Sequence, residues 1–348
     1  MKKLLTTILA SIITLSTVSI GLACSELNHR FNGLGMFTAR TMDVFKDLTP
    51  SLAVYPRGIK ENGNTKVNPL KWTNKYGYAS IDESNLENLT AEGVNEKGLT
   101  AHLLYLGQSV QADRDIDKKG VNGLIWVRYV LGNFSTVQEV LDNLHEYQIF
   151  TESKEVDGKE VYIPVHFAIE DAKGNSALIE YVNKKLVVHK GYNAITNEPD
   201  YDTQLKGLKY AKKHADKIYN INNLAGGARS ENRFIRANFI SENLPVASNL
   251  DEAVNYMFAA ANSVAVPFIA GYRDESLDSP TVQDKWPTQW KSVTDLSNHV
   301  LYITDTLIGN RVYVALDDVN LAIGQPIKSI SIMNKSLVGD ISNKLIKK

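Results

Sequence analysis

A chain of 348 residues, 43% hydrophobic and 22% charged, has the composition of a globular protein able to bury a sizeable core. Its formal net charge of -1 lacks the basic excess typical of a nucleic-acid binder. Beyond the N-terminus, no stretch is apolar for long enough to make a membrane helix.

The N-terminus differs from the rest. Lys2 and Lys3 precede an apolar run over residues 4–23 that closes on Gly21-Leu22-Ala23. A charged start, an apolar middle and a small-residue exit describe a secretory signal. Cleavage after Ala23 leaves Cys24 first and sends the protein to the periplasm or out of the cell. A lipoprotein signal is the rival reading, with Cys24 lipidated and the chain a surface or binding protein. Such a signal ordinarily carries Leu three residues before the cysteine, where Gly21 stands. Lipidation would also block both the sulfur and the α-amine. Cys24 is the only cysteine. It therefore has no partner for an internal disulfide, and its thiol is either reactive or modified.

Residues 24–348 show no repeat, low-complexity tract or linker, and read as one domain after a cleaved segment 1–23. In chain order, Ser135-Thr-Val-Gln138 has the form of a capping box. It opens a helix with Val137, Val140, Leu141 and Leu144 on one face. Strands are predicted over 161–169, 176–182 and 185–189, where β-branched and aromatic residues are separated by Asp171-Ala-Lys-Gly-Asn175 and Asn183-Lys-Lys185 turns. Further helices are predicted over 202–218, 233–240 and 252–261, the last behind Asn249 as cap. Strands at 299–304 and 311–315 flank a turn at Gly309-Asn310. Antiparallel hairpins with helices grouped between them indicate an α+β sandwich rather than a parallel βαβ sheet.

Several chemistries lack their residues. His145-Glu146 is followed at position 149 by Ile, so the zinc-protease helix motif fails. No cysteine pair offers a zinc site. Ala225-Gly-Gly-Ala228 lacks the Lys-Ser/Thr sequel of a phosphate loop and reads as a turn. No G-x-S-x-G elbow is present. An N-terminal cysteine, in contrast, carries its own base, because a free α-amine titrates near pH ~8 and can take the proton of its own thiol. Cationic neighbours favour the thiolate, and donors aimed at a developing oxyanion lower the barrier.

Cys24 followed by Thr38-Ala-Arg-Thr-Met-Asp43 resembles the opening of the choloylglycine hydrolase family, which contains bile salt hydrolases and penicillin V acylases. Further blocks follow in the family's order. They are Lys71-Trp-Thr-Asn-Lys-Tyr-Gly77, Gly93-Val-Asn-Glu-Lys-Gly-Leu99, Leu131-Gly-Asn-Phe-Ser-Thr-Val-Gln138, Ile195-Thr-Asn197, Arg233-Phe-Ile-Arg-Ala-Asn-Phe239 and Trp290-Lys-Ser-Val-Thr-Asp295. The resemblance implies the N-terminal nucleophile fold, a four-layer αββα sandwich of two antiparallel sheets between helical layers. It implies hydrolysis of a linear amide through an acyl-enzyme on Cys24, with Arg40 the cation beside the sulfur and Asp43 in contact with the nucleophile. Asn197 would donate its amide to the oxyanion, and Arg233 would be a second active-site arginine. Tyr105 stands where bile salt hydrolases carry Asn and some penicillin V acylases carry Tyr, an oxyanion and pocket position. Asn95 reads as structural, fixing a turn. No metal or organic cofactor is implied, and the partners that the resemblance implies are a small-molecule amide and further copies of the chain, up to a tetramer.

The similarity is greatest to an exported Gram-negative branch. Many members of that branch carry Trp after the Met-Asp pair, where Val44 stands here, so the acyl pocket is expected to differ in shape. Conjugated bile salts, penicillin V and N-acyl homoserine lactones all remain open as substrates.

Overall fold

A computed structural model describes residues 23–44, 47–85, 89–156, 159–161, 163–269 and 286–348. Of the expected signal segment, only Ala23 falls among them. Two large sheets face each other. In one, the strand order is Ala194–Ile195, β1 (Ala23–Phe31), β2 (Gly35–Asp43), Thr288–Asp295, Val300–Asp305, Arg311–Ala315 and Gly339–Asp340. It is antiparallel except for its last pair. The other runs Lys185–Lys190, Ser176–Val182, Val165–Asp171, Leu99–Tyr105, Leu89–Asn95, Tyr78–Glu83, Pro50–Tyr55, Lys328–Ser331 and Ile346–Lys347, antiparallel throughout.

Helices α1 (Trp126–Asn133) and α2 (Val137–Asn143) cover the outer face of the second sheet. On the first sheet lie α4 (Ser230–Asn243) and α5 (Leu250–Val264), with α3 (Tyr201–Lys213) packed on α4. The order helix, sheet, sheet, helix is the αββα sandwich expected above. Among the described residues, no helix is long and apolar enough to cross a membrane.

Local chemistry sets the helix ends. Asn249 caps α5 by accepting the Glu252 N–H at 2.9 Å, as expected. The cap of α2 is Thr136 rather than Ser135. Its hydroxyl accepts the Glu139 N–H, while the Glu139 carboxylate reaches back to the Ser135 N–H at 2.7 Å. The cap thus falls one residue later than the sequence signature, and Glu139 ties the residue before the cap rather than the cap itself. Helix α3 ends at Lys213, short of the expected 218, because its buried stripe of Tyr201, Gln204, Leu208 and Ala211 stops at Ala211. Helix α4 begins a turn earlier than expected, at Ser230. The predicted strand over 161–169 is divided, with its longer part at Val165–Asp171.

β1 and β2 are covered on both faces, so they do not alternate between apolar and polar residues. Leu27, Phe31, Phe37 and Ala39 join Val293 and the inner faces of α4 and α5. Cys24 and Met42 join the core between the sheets. The turn joining the strands places Gly35 at φ +113°, and a Cβ there would lie 2.1 Å from Ser297 Oγ. Only glycine allows this close approach.

Two polar residues illustrate how the core is held. Asn95 is fully buried and makes four hydrogen bonds. Its Oδ1 accepts from the Lys97 and Leu99 N–H groups, and its Nδ2 donates to the carbonyls of Leu131 and Phe134 at the end of α1. It shapes the turn and ties that turn to the helix. Glu83, also buried, accepts the Trp290 indole N–H at 2.7 Å across the sheets. Burial outweighs this bond and pushes its carboxyl up to about 8.

Asn95→Ala strands several buried partners and is expected to destabilise the fold by roughly 3 kcal/mol; an unchanged urea midpoint would contradict this role. The raised Glu83 carboxyl stays protonated in the fold while the unfolded chain ionises above about 4.5. Its contribution to stability is therefore complete below that pH and declines as pH rises to about 8. Glu83→Gln keeps an acceptor for Trp290 without the titration. Urea unfolding should show wild type and variant nearly alike at pH 5, with the variant more stable by roughly 3–5 kcal/mol at pH 8; equal differences at both pH values would show that Glu83 is not the titrating group.

Candidate active site

Cys24 lies near the start of β1, directly opposite Met42 on β2. Its thiol faces the gap between the sheets and is fully buried, 3.7 Å from Met42 Sδ. Side chains alternate along β2, so Arg40 shares that face. Arg40 Nη2 reaches the sulfur at 3.5 Å and the Leu103 carbonyl at 2.6 Å, while Nη1 reaches the Ala91 carbonyl at 2.6 Å and Glu92 Oε2 at 3.3 Å. The guanidinium also lies over the Trp290 ring, 5.4 Å from its centroid.

The other face of the hairpin meets α4. Arg233, in the first turn of that helix, donates to the Cys24 carbonyl at 2.8 Å, to Ser25 Oγ, and to Asn197 Oδ1 at 2.8 Å. Its Nη1 is 3.5 Å from Asp43 Oδ2. Asp43 is three residues from Arg40 and so sits on the opposite face of β2, where Thr288 and Thr41 donate to its two oxygens at 2.6 and 3.2 Å. Asn197 Oδ1 accepts the Cys24 N–H at 2.8 Å, and its Nδ2 donates to the Tyr105 carbonyl at 2.8 Å. All six residues singled out in the sequence thus join one hydrogen-bonded array around Cys24.

The electrostatics follow from the geometry. Burial raises the Cys24 thiol, opposed by the Arg40 guanidinium and by the backbone N–H of Asp43, while the Asp43 carboxyl adds to the rise. Burial likewise pushes Asp43 up to about 6, against Arg233, Thr288 and Thr41. Arg40 is held more firmly charged than usual: burial works against it, but Cys24 and Glu92 prevail.

Behind Arg40 the sheets enclose further ionisable groups. Glu26, His102 and Glu170 bring metal-type donor atoms within 4.8 Å of one another, all buried. His102 already turns Nδ1 to Glu92 Oε2 at 3.1 Å and Nε2 to Glu170 Oε2 at 3.3 Å. Burial alone would lower the imidazole, but Glu170 and Glu92 raise it to about 10. The imidazole thus bridges two carboxyls, and both of its nitrogens are engaged there.

Sequence reading missed Glu92, Thr41, Thr288 and Trp286. Glu92 precedes the Gly93–Leu99 block, and Thr41 lies inside the Thr38–Asp43 block. Trp286 packs edge-on to Tyr105 with ring centroids 6.0 Å apart, an aromatic pair that no local pattern marks. A buried thiol beside a fixed cation, with an amide oxygen accepting from its own backbone N–H and a guanidinium donating to its carbonyl, is suited to nucleophilic attack on a carbonyl.

Comparison with known proteins agrees with this chemistry. Residues 24–329 match the model of linear amide C–N hydrolases, choloylglycine hydrolase family. The chain is 31% identical over 326 residues to penicillin V acylase from Pectobacterium atrosepticum, covering 87% of this chain and 84% of the relative. The structure of penicillin V acylase from Agrobacterium tumefaciens superposes with a TM-score of 0.80 at 27% identity, covering 93% of this chain and 98% of that one. A variant of conjugated bile acid hydrolase from Clostridium perfringens shares the fold, with a TM-score of 0.72 at 23% identity over 90% of this chain and 98% of its own. The chain belongs to the choloylglycine hydrolase family and is a hydrolase of linear amide C–N bonds.

Proposed function

We propose that Cys24, made N-terminal by removal of residues 1–23 during export, is the nucleophile of a penicillin V-type acylase. The observation that carries the mechanism is the double hold on one residue. Cys24 N lies 2.8 Å from Asn197 Oδ1, while its Sγ lies 3.5 Å from Arg40. In the continuous chain this nitrogen belongs to the peptide bond with Ala23 and has no basicity. After cleavage the same position holds an amine.

The amine takes the thiol proton, and the sulfur attacks the amide carbonyl. Arg40 favours the thiolate. In this reading the amide of Asn197, which donates to the Tyr105 carbonyl at 2.8 Å beside the thiol, and the backbone N–H of Tyr105 stabilise the oxyanion once substrate is bound. As the tetrahedral intermediate collapses, the C–N bond breaks and the leaving amine takes the proton from the α-ammonium. Water, deprotonated by the free amine, then adds to the thioester and releases the acid and the thiol. Arg233, with Asp43 as its counter-ion, fixes the Cys24 carbonyl during both halves.

For the acyl group, Tyr105 against Trp286 offers an aromatic wall. Over most of their length, the two penicillin V acylases above are 31% and 27% identical to this chain, and the bile acid hydrolase above is 23% identical. A flat aromatic acyl group is the ligand class this reading favours.

Three outcomes are expected. Mass analysis of the mature protein should find Cys24 first and unmodified; a diacylglyceryl increment on Cys24 would overturn the free-thiol mechanism. Cys24→Ala should lose turnover of every amide by on the order of 10⁴-fold or more, and retained hydrolysis would sink the nucleophile assignment. Assayed side by side, penicillin V should be hydrolysed while glycine- and taurine-conjugated bile salts and acyl homoserine lactones are not; the reverse preference would place the enzyme with the bile salt hydrolases.

A further inference from the structure

We propose that His102 is a positioning residue for the Cys24 centre: by sharing the Glu92 carboxylate with Arg40, it keeps the guanidinium's charge available to the sulfur. The proposal rests on the reading of Cys24 as nucleophile, and it concerns a residue that touches neither thiol nor substrate.

The geometry is a competition for one oxygen. Glu92 Oε2 lies 3.3 Å from Arg40 Nη1 and 3.1 Å from His102 Nδ1. Arg40 and Glu92 have no exposed side-chain surface, and His102 shows 1%. An exclusive buried pair with Glu92 would neutralise Arg40, whose other terminal nitrogen faces the thiol at 3.5 Å. His102 draws on the same oxygen and offsets its charge. Burial raises Glu92, yet His102 and then Arg40 together bring its carboxyl below the usual range.

The far side of the imidazole is also built. Nε2 meets Glu170 Oε2 at 3.3 Å and Thr100 Oγ1 at 3.1 Å, and the hydroxyl of Tyr192 donates to the other Glu170 oxygen. Glu26, in register opposite Arg40 on β1, completes the group, and burial followed by repulsion from Glu170 lifts its carboxyl well above the usual range. Ser292 donates to Glu92 from the strand beyond β2. The charged and titratable groups facing His102 are thus Glu92, Glu170, Glu26 and, through Glu92, Arg40.

The test reads the thiol directly, by the pH dependence of Cys24 alkylation with iodoacetamide in the processed enzyme. This midpoint is informative even if the substrate assignment fails. In H102Q, Glu92 turns its whole charge on Arg40. The midpoint should rise by about one pH unit, making alkylation below it about tenfold slower. The kcat should fall with KM little changed. In E92Q the neutralising anion is gone and the midpoint should move down. In the double variant H102Q/E92Q the rise should disappear, because the two residues act along one path. A fall in Tm with an unmoved midpoint in H102Q would make His102 structural and overturn the proposal. A double variant as impaired as H102Q would show that the route does not pass through Glu92. If H102Q does not fold, E92Q decides alone, and an unmoved or raised midpoint there overturns the proposal.

Discussion

The guanidinium of Arg40 joins the two sheets, and the rest of the site is arranged around it. The pairing of Leu89–Asn95 with Leu99–Tyr105 runs from Val94↔Thr100 to Glu92↔His102. Where it stops, the carbonyls of Ala91 and Leu103 accept hydrogen bonds from Arg40 of the opposite sheet, each at 2.6 Å. A cation taken this far from water must have its donors satisfied. Two carbonyls, a carboxylate and a sulfur take up its terminal nitrogens, while Nε is left without a hydrogen-bond partner among the described residues. Because these partners belong to different strands, the separation and register of the sheets are set at the same point as the environment of the thiol.

The two faces of the β1–β2 hairpin divide the labour. The inner face carries the sulfur and its cation. The outer face carries Ser25, Thr41 and Asp43, which meet Arg233 from α4 and Thr288 from the neighbouring strand. The chain around Cys24 is therefore held by its carbonyl and its nitrogen independently of the sulfur. Such a division lets the backbone stay fixed while the thiol changes partners, which the proposed covalent intermediate requires.

A buried polar interior of this kind trades stability for placement. Glu83 and Glu26 both lie in surroundings that disfavour their charged forms. His102 and Glu92 each favour the charged form of the other. Strain of this electrostatic kind concentrates where catalytic groups need shifted proton affinities, and here it lies directly behind Arg40.

Much of the architecture was legible in the chain. The cap of α5, the Ser176–Val182 and Arg311–Ala315 strands and the turn role of Asn95 follow from local rules of spacing, capping and hydrogen bonding, and the start of α2 does so to within one residue. The strands that carry the site did not announce themselves, because β1 and β2 are covered on both faces and lose the period-two signal. The candidate residues themselves were reachable through ordered family blocks, but their meeting was not, since Asn197 and Arg233 lie 173 and 209 residues from Cys24. By itself the sequence determined a lone cysteine at a signal-like junction, a set of residues able to serve it, and the layered fold. Only the tertiary structure decided that Arg40 and Asp43 take opposite faces of one strand, that Trp286 meets Tyr105, and that His102 shares Glu92 with Arg40. Side-chain direction and the approach of distant strands depend on how the sheets pack, which no local pattern encodes.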